Sequence, residues 1–176
     1  MVSPAEVARM LAAGLDAADP LAAQSFAALD AEGLAPPAAE SLLRSAAQEA
    51  TEEFLVRVAQ ALHVLTGDES WSAPIAAVLT STAFWGVRID AARLLADFAP
   101  TPALIGALAD GVRDEEYLVR YHAANTLLRY ARRKRDVADY RTLFDKIATP
   151  REGEPTAADR DKWHAAADEL TAALRG

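Results

Sequence analysis

Three segments of the chain repeat one pattern of apolar and polar positions. Each opens with an aromatic residue, one further residue and Val-Arg, and the three valines are spaced 31 and 32 residues apart. An alanine follows five positions after each valine, and an aliphatic residue follows eight positions after it. The aligned residues are Phe54, Val56, Ala61 and Val64; Trp85, Val87, Ala92 and Leu95; and Tyr117, Val119, Ala124 and Leu127. These offsets fall on one side of an α-helix, so the pattern predicts three helices that bury the same face.

A shorter helix is predicted before each of these three. The ranges 37–47, 72–80 and 102–110 each have proline at or near their start, where its missing N–H would be unpaired anyway. The repeating unit is therefore helix, turn, helix. Its period indicates stacked pairs, because a single pair cannot bury its own apolar face.

Weaker versions of the same unit extend the pattern to both ends of the chain. The outer helices are predicted over 4–14, 20–31, 136–148 and 157–174. The sequence thus predicts an all-α fold, an α-solenoid of about five antiparallel helix pairs in a single domain. That domain spans 1–176, with clear repeats over 36–131 and capping pairs over 1–35 and 132–176.

Two stretches carry a family resemblance. They read Val87-Arg88 … Ala91-Ala92 … Leu94-Leu95 and Leu108 … Asp110 … Val119-Arg120 … Ala123-Ala124 … Leu127-Leu128. This pattern resembles the HEAT repeat, especially the short form common in bacterial proteins. The resemblance implies a right-handed superhelix and a role in scaffolding or binding.

The resemblance also implies a structural role for the repeated arginines. In HEAT repeats, the arginine of Val-Arg pairs with a carboxylate in the turn and ties neighbouring repeats together. Asp110 and Asp114 are the candidates for Arg120. Arg88 has no acidic residue close upstream, so its partner is expected in another repeat.

Composition narrows the chemistry further. The chain has no cysteine, which excludes structural disulfides, thiol catalysis and cysteine-ligated zinc. The three histidines, His63, His122 and His164, fall in different repeats and in no metal-binding motif, and no glycine-rich phosphate loop is present. We therefore expect no metal, no cofactor and no enzymatic activity. The first twenty residues do not resemble a secretory signal and no long apolar segment follows, which favours a soluble cytoplasmic protein.

The charge is distributed unevenly. The net charge is −8, and residues 1–55 alone carry nine acidic and two basic side chains. This balance argues against a general nucleic-acid binder, because phosphate contacts need clustered cations. One basic cluster exists: Arg129, Arg132, Arg133, Lys134, Arg135 and Arg141. It is interpreted as a solvated helix end, where cations interact favourably with the helix dipole.

A candidate binding surface emerges when the three repeats are aligned. Three columns vary and are largely polar: Ala59, Asp90 and His122; Leu62, Arg93 and Asn125; and Thr66, Asp97 and Arg129. Their spacing places them on one side of each helix, and in a helix-pair solenoid that side lines the concave surface. The predicted partner-binding residues are Asp90, Arg93, Asp97, His122, Asn125 and Arg129. The aromatic residues in register, Phe54, Trp85 and Tyr117, are assigned to the core.

The sequence therefore favours a non-catalytic adaptor that binds another protein on its concave face. A narrower hypothesis is an immunity or inhibitor protein that occludes a basic toxin or enzyme. The alternative is a nucleic-acid binder such as a HEAT-like alkylpurine DNA glycosylase, for which Trp85, Asp90 and Arg93 would supply the aromatic, acidic and basic groups. A salt-dependent DNA-binding assay separates the two hypotheses.

Overall fold

The chain folds entirely into helices. The structure is a computed structural model that describes residues 4–133, 136–150 and 153–174, and every regular element in these ranges is helical. The α-helices are α1 (Pro4–Asp16), α2 (Pro20–Ala31), α3 (Ala39–Ala46), α4 (Glu52–Thr66), α5 (Ser72–Ser81), α6 (Trp85–Leu94), α7 (Pro102–Val112), α8 (Tyr117–Tyr130), α9 (Arg141–Ile147) and α10 (Ala157–Ala172). Short 3-10 helices lie at Glu69–Trp71, Leu95–Asp97 and Val137–Asp139. The all-α class is confirmed.

Local sequence signals account for the helix ends. Asp19 accepts a hydrogen bond from the Leu21 amide and precedes Pro20 at the start of α2. Thr101 caps α7 in the same way. At α4 the last turn closes on Gly67, whose φ of 68° is the left-handed conformation that glycine adopts most easily. The predicted helix over 136–148 is shorter, because Asp136 caps a separate 3-10 turn before α9 begins.

The chain divides into two compact units, Met1–Ile75 and Ala76–Gly176. In the N-terminal unit, α2 packs on α4, and α1 packs on both α2 and α3. Their shared core is built around Phe26, Leu43 and Leu62, all fully buried. Phe54 belongs to the same core, as its place in the repeat predicted.

In the C-terminal unit, α6 packs on α8, and α7 packs on α8 and α10. The approach of α7 to α8 is close at Gly111, where a Cβ would lie 2.9 Å from the Cβ of Ala123. Ala123, next to the aligned Ala124, thus allows tight helix packing. The valine and alanine columns are buried as predicted, but Val64 is 44% exposed, and of the three aligned aromatic residues only Phe54 is buried.

Candidate functional site

The repeated arginines hold the loops of the C-terminal unit. Arg88 donates from Nη1 to the carbonyls of Thr82 and Ala83, in the turn before its own helix. Its Nε and Nη2 bind both carboxylate oxygens of Asp114 in the next repeat, at 2.8 and 2.9 Å. The expected partner in another repeat is therefore present, and a bidentate pair of this kind fixes orientation as well as distance.

Arg120 makes the same contact one repeat later. Its Nη1 donates to the carbonyls of Asp114 and Glu115, at the same offsets of six and five residues that Arg88 uses. Its Nε and Nη2 reach ahead to the carbonyls of Ile147 and Thr149. We call this contact, from one arginine to its own turn and to the following repeat, the arginine clasp.

The prediction that Arg120 pairs with the carboxylate of Asp110 or Asp114 was wrong. Asp114 binds Arg88, and Asp110 binds Arg113. Arg120 is only 2% exposed, and its guanidinium carbon lies 3.9 Å from the ring centre of Trp163. Burial lowers the pKa of this guanidinium, and four carbonyls and an aromatic face replace the solvent around it. Both clasps serve the scaffold, so these arginines are not available to a ligand.

The predicted binding residues lie on the sides of α6 and α8 that face away from the core. Residues spaced by three and four positions on one side of each helix are exposed or half-buried, and Val87, Ala91, Val119 and Ala123 on the other side are buried. The exposed side is here called the α6–α8 face. It comprises Trp85, Ile89, Asp90, Arg93 and Asp97 from α6 and its final 3-10 turn, and Tyr117, Leu118, Tyr121, His122, Asn125 and Arg129 from α8.

All six predicted site residues lie on this face. Arg93 is 3.9 Å from Asp90, and Arg129 is 3.6 Å from Asp97. Both pairs are largely exposed and long, and pairs of this kind contribute at most about 1 kcal/mol to stability. A partner can therefore compete for these charges at little cost to the fold.

Asp136 organises the centre of the face, and the sequence analysis missed it. Its carboxylate accepts hydrogen bonds from the Tyr121 hydroxyl at 2.7 Å and from Asn125 Nδ2 at 3.0 Å. The Asn125 Oδ1 in turn accepts from the Val137 amide. The bond to Asp136 raises the pKa of Tyr121. The available signal was an aspartate at a helix N-cap, which predicts a cap and not these two contacts.

His122 sits beside this network. Its ring meets the Tyr121 ring edge-on, with 5.3 Å between the ring centres. Burial, and then the charge of Arg93, lower the pKa of His122, while Asp136 and Asp90 act in the opposite direction. Its surroundings therefore favour the neutral imidazole, and the ring is half-buried.

The aromatic end of the face differs from prediction. Trp85 was assigned to the core, but it is 45% exposed, and its neighbour Phe84 is 58% exposed. Their ring centres lie 5.8 Å apart, and the Phe84 ring lies over Gly86, where a Cβ would be 2.9 Å from it. The core assignment failed because α6 begins at Trp85, so the first turn of the helix is not enclosed. Leu118, one position beyond the matching aromatic of α8, is also exposed.

The first repeat does not supply the same surface. Ala59 and Leu62 are buried, and the Thr66 hydroxyl donates to its own helix at the Leu62 carbonyl. The variable columns therefore include core positions in α4, and the predicted extension of the polar patch to these residues was wrong.

The basic cluster follows the end of α8, as the sequence indicated. Arg129 belongs to the last turn of the helix, Arg132 and Arg133 are exposed beyond it, and exposed Arg141 opens α9. Lys134 and Arg135 lie outside the described residues.

Comparison of the chain with known protein families, curated proteins and solved structures finds no match. Among the described residues, no three histidine or carboxylate side chains converge in a way that would hold a metal ion. No helix in the same ranges is long and apolar enough to cross a bilayer. Interpretation of the site therefore depends on its own chemistry.

Proposed function

We propose that this chain is a HEAT-like helical repeat protein that binds another protein through the α6–α8 face and does not catalyse a reaction. The observation that carries the proposal is the exposed pair Phe84 and Trp85 next to a field of paired charges. Tryptophan, tyrosine and arginine are the residues that most often dominate binding energy at protein interfaces. Trp85, Tyr121 and Arg93 bring these three types to one face.

The arrangement has the anatomy of an interface. Exposed aromatic rings at one end offer apolar area for burial, and Asp90, Arg93, Asp97 and Arg129 at the other end offer charges that set register. The hydrogen bonds that Tyr121 and Asn125 donate to Asp136 hold both side chains in place before any partner binds. Such preorganisation reduces the entropy lost on binding.

A nucleic-acid function is less well supported. The face has two carboxylates, Asp90 and Asp97, for two cations, Arg93 and Arg129, and Asp136 adds a third carboxylate that bonds to the face from the loop after α8. This balance opposes the approach of phosphate. Asp90 and Arg93 also contact each other, which weakens the DNA glycosylase interpretation that assigns them separate roles. A narrower proposal is an immunity or inhibitor protein whose partner is a basic toxin or enzyme, and it is supported by the net charge of −8, all of which is carried by residues 1–75.

The test is affinity capture from the source cell with the intact chain and surface variants. Trp85→Ala and Arg93→Ala should each weaken capture of a specific partner by at least about tenfold, the size expected of interface anchors. Arg141→Ala and Arg132→Ala are the matched controls, because they remove exposed cations of the same unit outside this face.

Two outcomes would contradict the proposal. Retained capture by both face variants, with loss in the control variants, would transfer the function to the basic cluster. Tight duplex DNA binding that weakens with salt and depends on Arg93 would favour the nucleic-acid alternative.

A further inference from the structure

An apolar groove runs along the N-terminal unit, well separated in sequence from the α6–α8 face. It has a volume of about 470 Å³, within the range of about 300–1,000 Å³ that is usual for binding pockets. One wall comes from α1 and the other from the end of α2 and the connection to α3. Its lining is apolar throughout: Ala5, Val7, Ala8, Leu29, Leu34, Ala35, Pro36 and Pro37.

Backbone hydrogen bonds close the turn in the second wall, and this turn exposes one leucine to solvent. After α2, Gly33 adopts a φ of 69°, its amide donates to the Asp30 carbonyl, and the Leu34 amide donates to the Leu29 carbonyl. This is the hydrogen-bonding pattern of a Schellman motif, which brings the residue after the glycine back against the last helical turn. Leu34 is nevertheless 67% exposed. The groove is thus preformed, and part of its apolar surface is available for burial.

Acidic residues border this groove. Asp30 and Glu32 immediately precede the Gly33–Leu34 turn that forms one wall of the groove. Within the described ranges, Asp30 and Glu32 have no cation within salt-bridge distance. The whole unit of residues 1–75 contains eleven acidic and three basic residues, so it carries the full net charge of −8.

The charge determines which occupant fits. Fatty acids, anionic lipid surfaces and nucleic acids all bring negative charge and would be repelled. A segment with apolar side chains on one face and lysine or arginine beside them satisfies both the groove and its rim. We infer that this groove docks a basic amphipathic segment of another protein. This site lies on a different unit from the α6–α8 face, and the inference does not depend on the proposed function.

The probe is a fluorescein-labelled helical peptide of about 15 residues, made of leucine and lysine with the leucines on one face. It is titrated with the full chain and followed by fluorescence anisotropy. A leucine–glutamate peptide tests the charge, and a leucine–glutamine peptide tests the apolar face alone. We expect the lysine peptide to bind best and the glutamate peptide not to bind. Equal binding of the glutamine peptide would overturn the assignment of a basic occupant.

Matched variants locate the site. Leu34→Asn should weaken peptide binding by about tenfold, and Leu21→Asn should not, although Leu21 is equally exposed at 68%. The double variant Asp30→Asn, Glu32→Gln should also weaken binding. The double variant Asp16→Asn, Glu49→Gln makes the same change in net charge elsewhere on the unit and should have little effect.

The pattern across these variants decides the question. Equal losses in both double variants would show a diffuse attraction to an acidic protein and would overturn the groove as the site, as would equal losses for Leu34 and Leu21. Trp85→Ala should leave peptide binding unchanged, so a failure of this inference is distinguishable from a failure of the proposed function.

Discussion

The two compact units of this protein use charge in different ways. Residues 76–176 contain fifteen acidic and fifteen basic side chains, and many of them meet: Arg88 binds Asp114, Arg113 binds Asp110 and Asp168, and Arg160 binds Glu115. Residues 1–75 contain eleven acidic and three basic side chains. Because carboxylates so outnumber cations, most of their charge in that unit is not neutralised from within it.

The charged residues of the C-terminal unit mainly hold that unit together, whereas those of the N-terminal unit are mainly available to a partner. In the C-terminal unit, arginines fix loops through the clasps, and the remaining polar groups form a balanced surface beside exposed aromatic rings. In the N-terminal unit, excess negative charge surrounds an apolar groove. We expect the first kind of surface to select a partner by shape and register, and the second to attract basic partners from a distance.

The largest effect should come from breaking the second clasp. Arg120→Met keeps much of the side-chain volume but leaves the carbonyls of Asp114 and Ile147 without this donor, while the Thr149 carbonyl keeps its bond from the Trp163 indole. We expect the free energy of unfolding to fall by about 3–5 kcal/mol, since buried acceptors lose charge-assisted hydrogen bonds. Urea unfolding gives the total, and hydrogen exchange should show the loss in α8, α9 and α10.

The control for this prediction is Arg160→Ala. It removes an ion pair with Glu115 that is open to solvent, so it should destabilise the fold far less than Arg120→Met does. Similar losses for the two variants, or equal loss of protection in α1–α4, would show that the clasp has no special role in its own unit.

A smaller effect is expected on acidification. The Thr156 hydroxyl and backbone amide, together with Lys162, lower the pKa of Asp159 from an ordinary 3.8 to about 2. A carboxylate with a depressed pKa stabilises the folded state above its unfolded pKa and loses that contribution as pH falls towards the folded value. The capping box of α10 should therefore weaken between about pH 4 and pH 2.

Carbon-13 NMR of the Asp159 carboxyl measures this directly. Thr156→Ala should move its titration midpoint upward, towards the ordinary value, because the first and largest cause is removed. A midpoint near 3.8 in the unaltered protein would contradict the capping geometry.

The smallest effect concerns the charge balance of the α6–α8 face. Arg93→Gln should raise the pKa of His122, because the charge of Arg93 disfavours the imidazolium, and Asp90→Asn should lower it. Proton NMR of the His122 ring follows both changes. If neither variant moves the titration, the three residues are not electrostatically coupled, and the face is a looser surface than proposed.

The helices could be predicted because their signals are local. Helix starts are marked by prolines such as Pro20 and Pro102, and buried helix faces are marked by the apolar positions that follow each Val-Arg pair. Each of these signals is contained within a few residues. The partner of Arg88 could be assigned to another repeat by elimination. Its identity as Asp114 could not, because that contact depends on how two turns of different repeats meet.

The site was only partly predictable for a similar reason. The six residues chosen from the variable columns lie together on the α6–α8 face, since variation among the repeats marks positions that are not needed for stacking. The columns also included Ala59 and Leu62, because aligning the repeats does not show how deeply the residue of each repeat is buried in the fold. Asp136 and the exposure of Trp85 depend on a loop path and on where a helix begins, and neither has a pattern in the sequence.

We expect the C-terminal unit to accept an additional repeat, because of the arginine clasp. Arg88 and Arg120 contact their own turns at the same offsets, through backbone carbonyls that any sequence provides, and each reaches ahead by 26 to 29 residues to the following repeat. A second copy of residues 85–116 inserted after Glu116 would supply its own Arg88 and Asp114 and leave the contacts of Arg120 intact. At the other end, Lys162 stands where the next arginine would be and bonds within its own helix to Asp159. The side chain at this position therefore joins two residues of one helix and not two repeats.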